Sequence, residues 1–155
     1  MYRKILVPVD GSQLAECVFP HLEALVRGCV EPPEVVFVTV LEPMRVSYGG
    51  DFVFPEEDVR RLEAEHMKEA GEYLERVVSA RKGKGMKASH AILKGQAAET
   101  IADYAAKHGV DIIVLATHGR SGVTRWVLGS VADRLVRSSC IPVLLVRAPG
   151  CAIEK

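Results

Sequence analysis

The sequence predicts an α/β fold of three layers, in which a five-stranded parallel sheet lies between two layers of helices. Two observations lead to this prediction. Five short apolar runs alternate with helical patterns along the chain, which is typical of parallel strands joined by right-handed crossovers. Most of these runs are also apolar at nearly every position, as expected for strands that are covered by helices on both faces.

The five predicted strands cover residues 4–9, 35–40, 86–93, 112–116 and 141–146. The third alternates polar and apolar residues, which suits the edge of a sheet. The first and fourth are expected side by side at the centre, which gives the strand order 3-2-1-4-5. Open α/β sheets bind ligands where the strand order reverses, here between the first and fourth strands. Pro8 has no N–H, so pairing on one side of the first strand should weaken near its end.

The four predicted helices run from the cap Ser12 to about residue 27, and over 56–82, 96–108 and 131–137. Ser12 is a favourable N-cap, and Pro20 inside the first helix predicts a kink. Residues 43–55 have no periodicity and are interpreted as an excursion over the carboxyl edge of the sheet. We expect one domain over residues 1–147, followed by a tail at 148–155.

The charge balance argues against a nucleic-acid surface, because 20 basic residues are matched by 20 acidic ones. No apolar run approaches the ~20 residues that a membrane-spanning helix needs. The four cysteines form no C-x-x-C pair, and the first residues, MYRKILVPVD, enter a strand pattern directly. We therefore expect no signal peptide, no membrane association and a cytoplasmic location with reduced thiols.

The most suggestive segment is residues 110–130, VDIIVLATHGRSGVTRWVLGS. It reads as a buried strand, a glycine-bearing loop and the start of a helix. Free N–H groups and the helix dipole at such a start favour phosphate. A plain strand-to-helix crossover is the alternative, since glycines are common there too. Asp10-Gly11-Ser12 follows the first strand, so both segments lie at the carboxyl ends of the two central strands.

Several better-known site motifs are absent from the sequence. No G-x-x-x-x-G-K-[ST] occurs, which argues against a P-loop NTPase. No G-x-G-x-x-G follows a strand, and no G-x-S-x-G elbow occurs, which argues against dinucleotide-binding enzymes and α/β-hydrolases.

Four segments spread over nearly the whole chain resemble the universal stress protein family, and specifically its ATP-binding subgroup. They are KILVPVDGS, GQAAETI, ATHGRSGVTRWVLGSVADRLV and CIPVLLVR. The family's nucleotide motif is a glycine, two residues, a glycine, nine residues, a glycine and then Ser or Thr. Gly119, Gly129 and Ser130 fit this spacing, while Ala116 replaces the first glycine. The resemblance implies a Rossmann-like fold of the adenine nucleotide alpha-hydrolase type.

The resemblance also implies that ATP, with ADP or AMP as the alternatives, binds in the central crevice. Asp10 would accept hydrogen bonds from the adenine or ribose, Val40 would contact adenine through its backbone, and Ser130 would meet a terminal phosphate. Mg²⁺ or Mn²⁺ would be held through the phosphates, with no metal site of the protein's own. The predicted binding residues are Pro8, Val9, Asp10, Val40, Leu115, Ala116, His118, Gly119, Arg120, Gly122, Gly129, Ser130 and Val131.

The function predicted from these observations is a regulatory ATP-binding module that acts in stress responses through nucleotide-dependent conformation or partner binding. One alternative is an interaction protein of the same fold that needs no nucleotide, which Ala116 favours. The other is a slow ATPase. Efficient turnover is not predicted, because phosphoryl transfer needs a group that orients the nucleophile and no catalytic residue can be named.

A homodimer is also predicted, together with a protein partner that the sequence does not identify. The last strand is a flat apolar edge, with Ile141, Val143 and Leu145 along it, and no charge before Arg147. Such an edge needs protection, and antiparallel pairing with a second copy provides it. The family resemblance implies the same arrangement.

Overall fold

The computed structural model describes residues 2–43, 55–117 and 129–147. Its sheet consists of β1 (Lys4–Pro8), β2 (Glu34–Leu41), β3 (Lys87–Lys94), β4 (Ile112–Thr117) and β5 (Val143–Arg147). All neighbouring strands are parallel, and their order is β3-β2-β1-β4-β5. The predicted strand order is therefore confirmed, with β3 and β5 at the edges. The segment 44–54 and the tail at 148–155 lie outside the described residues.

The helices are α1 (Gln13–Glu16), α2 (Phe19–Arg27), α3 (Glu56–Lys82), α4 (Ala97–Lys107) and α5 (Ser130–Ser138). The single kinked helix predicted after Ser12 is wrong, because the chain forms two helices there. Pro20 has no N–H and its ring clashes with the carbonyl four residues before it, that of Glu16, where α1 ends. Pro20 instead lies in the first turn of α2, where proline is tolerated. None of the helices in the described ranges is long and apolar enough to cross a membrane.

The helices cover the sheet in two layers. Ile5 and Val7 of β1 point to the face covered by α1, α2 and α3, where the fully buried Leu22 and Leu74 pack against the same cluster. Leu6 points to the other face, which α4 and α5 cover. This alternation follows from strand geometry, in which successive side chains lie on opposite faces. The observed architecture is the predicted three-layer sandwich.

The first and fourth strands separate near their carboxyl ends. β1 pairs with β2 along its whole length but with β4 only at Ile5 and Leu6. The N–H of Val9 donates to the carbonyl of Val38 in β2 (2.8 Å), so the nitrogen of Pro8, one residue earlier, faces β4. That nitrogen carries no hydrogen, which explains why the ladder to β4 stops. The weak pairing predicted at Pro8 is confirmed, and it leaves a crevice between the two strands.

The amino ends of the same two strands are held together. The carboxylate of Asp111, just before β4, accepts hydrogen bonds from the backbone N–H groups of Arg3 (2.6 Å) and Lys4 (2.9 Å). These two bonds lower the pKa of Asp111. β1 and β4 are therefore joined at one end of the sheet and open at the other.

Candidate binding crevice between the central strands

The crevice lies at the carboxyl ends of β1, β2 and β4, and α1, α4 and α5 form its walls. Most of its lining is apolar, with a carboxylate, two hydroxyl groups and backbone groups among it. Small-molecule sites are typically built in this way, with few polar groups that fix orientation in an apolar cleft. The crevice lies between β1 and β4, where the strand order reverses, which is the position that the sequence predicts for a ligand site.

Nine of the thirteen predicted binding residues line this crevice, and they come from four separate stretches of the chain. They are Pro8, Val9, Asp10, Val40, Leu115, Ala116, Gly129, Ser130 and Val131. The other four, His118, Gly119, Arg120 and Gly122, lie outside the described residues.

Seven lining residues were not predicted, and six of them are apolar. They are Leu14, Ala15, Val38, Ala97, Ile101, Thr117 and Ala132. An apolar residue of a helix facing a ligand has the same sequence pattern as one facing the core, so the pattern alone cannot separate the two. Ala97 and Ile101 do lie in GQAAETI, a segment that carries the family resemblance, and this was the available signal for them.

The turn after β1 holds Asp10 at the rim of the crevice. One carboxylate oxygen of Asp10 accepts from both the N–H (3.0 Å) and the hydroxyl (2.6 Å) of Ser12. The Ser12 hydroxyl in turn accepts from the N–H of Ala15 (3.1 Å) and caps α1. Gly11 lies between them at φ +81°, a left-handed conformation that glycine adopts at low cost. The position of the carboxylate is thus set by the same bonds that start α1.

A second contact fixes α1 against the rest of the molecule. The Tyr73 hydroxyl of α3 donates to the carboxylate of Glu16 in α1 (3.1 Å). Burial, followed by the negative charge of Glu16, raises the pKa of Tyr73 well above its usual value. The hydroxyl therefore remains a donor at physiological pH and ties α1, which carries Leu14 and Ala15 of the crevice wall, to α3.

The amino terminus of α5 opens onto the crevice. Gly129 is its N-cap and Ser130 its first residue, and within the described residues no side chain hydrogen-bonds to this helix start. Gly129 has no side chain that could cover the free N–H groups. Unpaired N–H groups and the positive end of the helix dipole make this position favourable for an anion.

The amino terminus of α4 also lines the crevice, but a carboxylate already lies on it. The N–H of Ala97 donates to Glu42, the residue after β2 (3.3 Å). A second anion at this helix start would meet the charge of Glu42. Of the two helix starts at the crevice, the one at Ser130 is therefore the favourable place for a negatively charged group.

Comparison with known proteins identifies the family. The model of the universal stress protein family matches residues 1–147. The chain belongs to the universal stress protein family. The universal stress protein MJ0531 of Methanocaldococcus jannaschii is 32% identical to it over 150 residues, which cover 96% of this chain and 84% of that protein.

Solved structures of universal stress proteins share the fold. The structure of MJ0577 from the same archaeon has a TM-score of 0.81 at 29% identity and covers 97% of this chain and 99% of its own. A universal stress protein family protein of Arabidopsis thaliana, solved with AMP bound, has a TM-score of 0.67 at 19% identity. The match covers 95% of this chain and 92% of the Arabidopsis chain. The Rossmann-like fold that the sequence resemblance implies is confirmed.

Proposed function

We propose that this universal stress protein binds an adenine nucleotide in the central crevice and works as a regulatory module. ATP is the proposed ligand, with ADP or AMP as the alternatives, and occupancy would set its conformation or its affinity for a protein partner. The observation that carries the proposal is that an apolar cleft, the Asp10 carboxylate and an open helix start converge at the reversal point of the sheet. The AMP-bound Arabidopsis relative supports the same class of ligand.

The arrangement of charges supports one orientation of the nucleotide. Val38, Val40 and Ile101 offer apolar surface for the base, and Asp10 lies beside them as an acceptor for ribose or adenine N–H and O–H groups. The phosphates would lie at Ser130, because the competing helix start is occupied by Glu42. Phosphate at a helix amino terminus is a recurring solution in nucleotide sites.

Ala116 is compatible with this proposal although the family motif has glycine there. Ala116 packs against the core cluster under α1, α2 and α3, whereas its neighbour Leu115 packs under α4 and α5. Its methyl group is therefore directed to the α1 side of the crevice, which Ala116 lines together with Ala15. We infer that the replacement leaves room for the ribose.

Binding without efficient turnover is proposed, with slow hydrolysis as the alternative. Both carboxylate oxygens of Asp133 in α5 accept from the guanidinium of Arg137 (3.0 Å each). This carboxylate is engaged and exposed, which is unfavourable for a general base. Mg²⁺ or Mn²⁺ would be held by the phosphates, since residues 2–43, 55–117 and 129–147 contain no cluster of three metal-ligating side chains.

The experiment that tests the function is mass spectrometry of the small molecules released when the purified protein is denatured, followed by calorimetric titration of the emptied protein with ATP. We expect adenine nucleotide near one equivalent per chain, or binding at micromolar Kd. An empty protein that does not respond to ATP, ADP or AMP would contradict the proposal. It would support the alternative of a nucleotide-independent interaction protein.

We also propose that the protein forms a homodimer in the cytoplasm, through antiparallel pairing of β5 with its copy. Within the described residues β5 pairs with β4 alone, so its outer edge carries unpaired backbone groups. Ile141, Val143 and Leu145 are half-buried against the α4–α5 core cluster, while Leu144 is exposed on the opposite face.

Replacing Leu144 with lysine is expected to convert the dimer to a monomer, because a charged side chain on an edge strand opposes pairing with a second strand. Leu144 is more exposed than its neighbours, so the folded monomer should lose little stability. Val30→Lys is a matched control, since Val30 is an exposed valine in the loop before β2. Light scattering gives the mass. A mass that stays the same in both variants would exclude this edge as the interface.

A further inference from the structure

Thr39 in β2 is an unusual residue for its surroundings. Among the described residues it is the one polar side chain that is buried, in a strand whose other buried positions are valine and phenylalanine. Its hydroxyl donates a hydrogen bond to the carbonyl of Val9, 30 residues earlier in the chain (2.8 Å). Valine has nearly the same shape as threonine but no hydroxyl. The hydrogen bond to Val9 is therefore what threonine provides at this position and valine would not.

The bond acts on Val9, which directly follows β1 and precedes Asp10 of the candidate site. Val9 is held by β2 through both of its backbone groups, since its N–H donates to Val38 (2.8 Å) and its carbonyl accepts from Thr39. On its other side β1 has already separated from β4. The direction in which the chain leaves β1, and hence the place of Asp10, depends on these two bonds to β2.

We propose that Thr39 is a positioning residue for the nucleoside half of the binding site. This inference rests on the proposed function and adds a residue to it. Thr39 acts through Val9: its hydroxyl fixes the carbonyl of Val9, and the peptide that begins there carries Asp10 to the rim of the crevice. Ser12 then fixes the Asp10 carboxylate from the other side. Without the hydroxyl, the buried carbonyl of Val9 loses its hydrogen-bond donor. An unsatisfied buried carbonyl costs free energy, and rotation of the Val9–Asp10 peptide would reduce that cost.

Thr39→Val tests the proposal, because it removes the hydroxyl and keeps the shape. We expect the Kd values for adenosine, AMP and ATP to rise by the same factor, about tenfold, since the affected contacts are those of the nucleoside. Thr39→Ser retains the hydroxyl and should restore most of the affinity. Val35→Ala is the matched control: it lies on the same strand and the same face, at the end far from the crevice, and should lower stability with affinity unchanged.

A second measurement uses the empty protein and separates failure of this inference from failure of the proposed function. In nuclear magnetic resonance spectra without nucleotide, the amide signals of residues 9–12 should shift in Thr39→Val and return in Thr39→Ser. Nucleotide binding equal to wild type in Thr39→Val would overturn the inference while the function stands. Signals of residues 9–12 that do not move in Thr39→Val would overturn the inference even if no nucleotide binds to the wild type.

Discussion

Replacing Gly129 with glutamate is expected to weaken ATP binding by more than about 100-fold while the protein remains folded. The new carboxylate would lie at the helix start where the phosphates are proposed to bind, and like charges in contact oppose each other. Folding should persist because Gly129 has φ −55° and ψ 149°, a conformation that residues other than glycine adopt without strain.

The nature of the loss is as informative as its size. Adenosine, which has no phosphate, should bind Gly129→Glu far better than ATP does, whereas wild type should prefer ATP. Ser138→Glu is the matched control, because it adds the same charge at the exposed end of the same helix, away from the crevice. Isothermal titration calorimetry gives the Kd of ATP and of adenosine for wild type, Gly129→Glu and Ser138→Glu. Retained ATP affinity in Gly129→Glu would mean that the phosphates do not lie at this helix start.

The sheet could be predicted from the sequence because its signals are local and repeated. Four of the five strands are short apolar runs between helical patterns, and the two runs expected at the centre are neighbours in the sheet. At α1 and α2 the outcome differs from the prediction, because Pro20 coincides with a break between two helices and not with a kink in one. A helix that is only partly buried can end before a proline instead of bending at it. Here α1 ends at Glu16, and α2, which contains Pro20, begins at Phe19.

The site could be predicted only where chemistry marks it. A charged residue, a glycine and a hydroxyl residue stand where a strand ends or a helix begins, and the sequence predicts them as site residues: Asp10, Gly129 and Ser130. The contacts of Glu42 with Ala97 and of Thr39 with Val9 join residues 55 and 30 positions apart. No local pattern indicates such pairs, because they depend on how β2 lies against α4 and β1.

The contacts around α1 indicate how occupancy could be transmitted. α1 carries Leu14 and Ala15 of the crevice wall, and Glu16 on the same short helix bonds to Tyr73 of α3. A ligand that shifted α1 would therefore act on α3, on the opposite side of the sheet from α4 and α5. Such a link gives the proposed regulatory module a physical route, since a ligand shifts a conformation only through contacts that differ between two states.

The largest effect on stability is expected from a substitution of Gly95, which directly follows β3 in the turn before α4. Gly95 has φ +142°, and a Cβ atom there would collide with the hydroxyl of Thr100 in the first turn of α4. Gly95→Ala therefore combines backbone strain with a clash, and we expect a loss of about 3 kcal/mol, or roughly 6–12 °C in Tm. ATP affinity should also fall, because Ala97 and Ile101 of the crevice wall follow this turn.

Two further variants separate the causes of that loss. Gly85 also has positive φ (+81°), but open space surrounds the place of its Cβ, so Gly85→Ala carries strain without a clash and should cost about 1 kcal/mol. Adding Thr100→Ala to Gly95→Ala removes the atom that collides and should restore part of the stability. Thermal unfolding monitored by circular dichroism gives the Tm of wild type, Gly95→Ala, Gly85→Ala and the double variant. If Gly95→Ala proved no less stable than Gly85→Ala, the tight approach of Thr100 to Gly95 would not be what requires glycine at the start of α4.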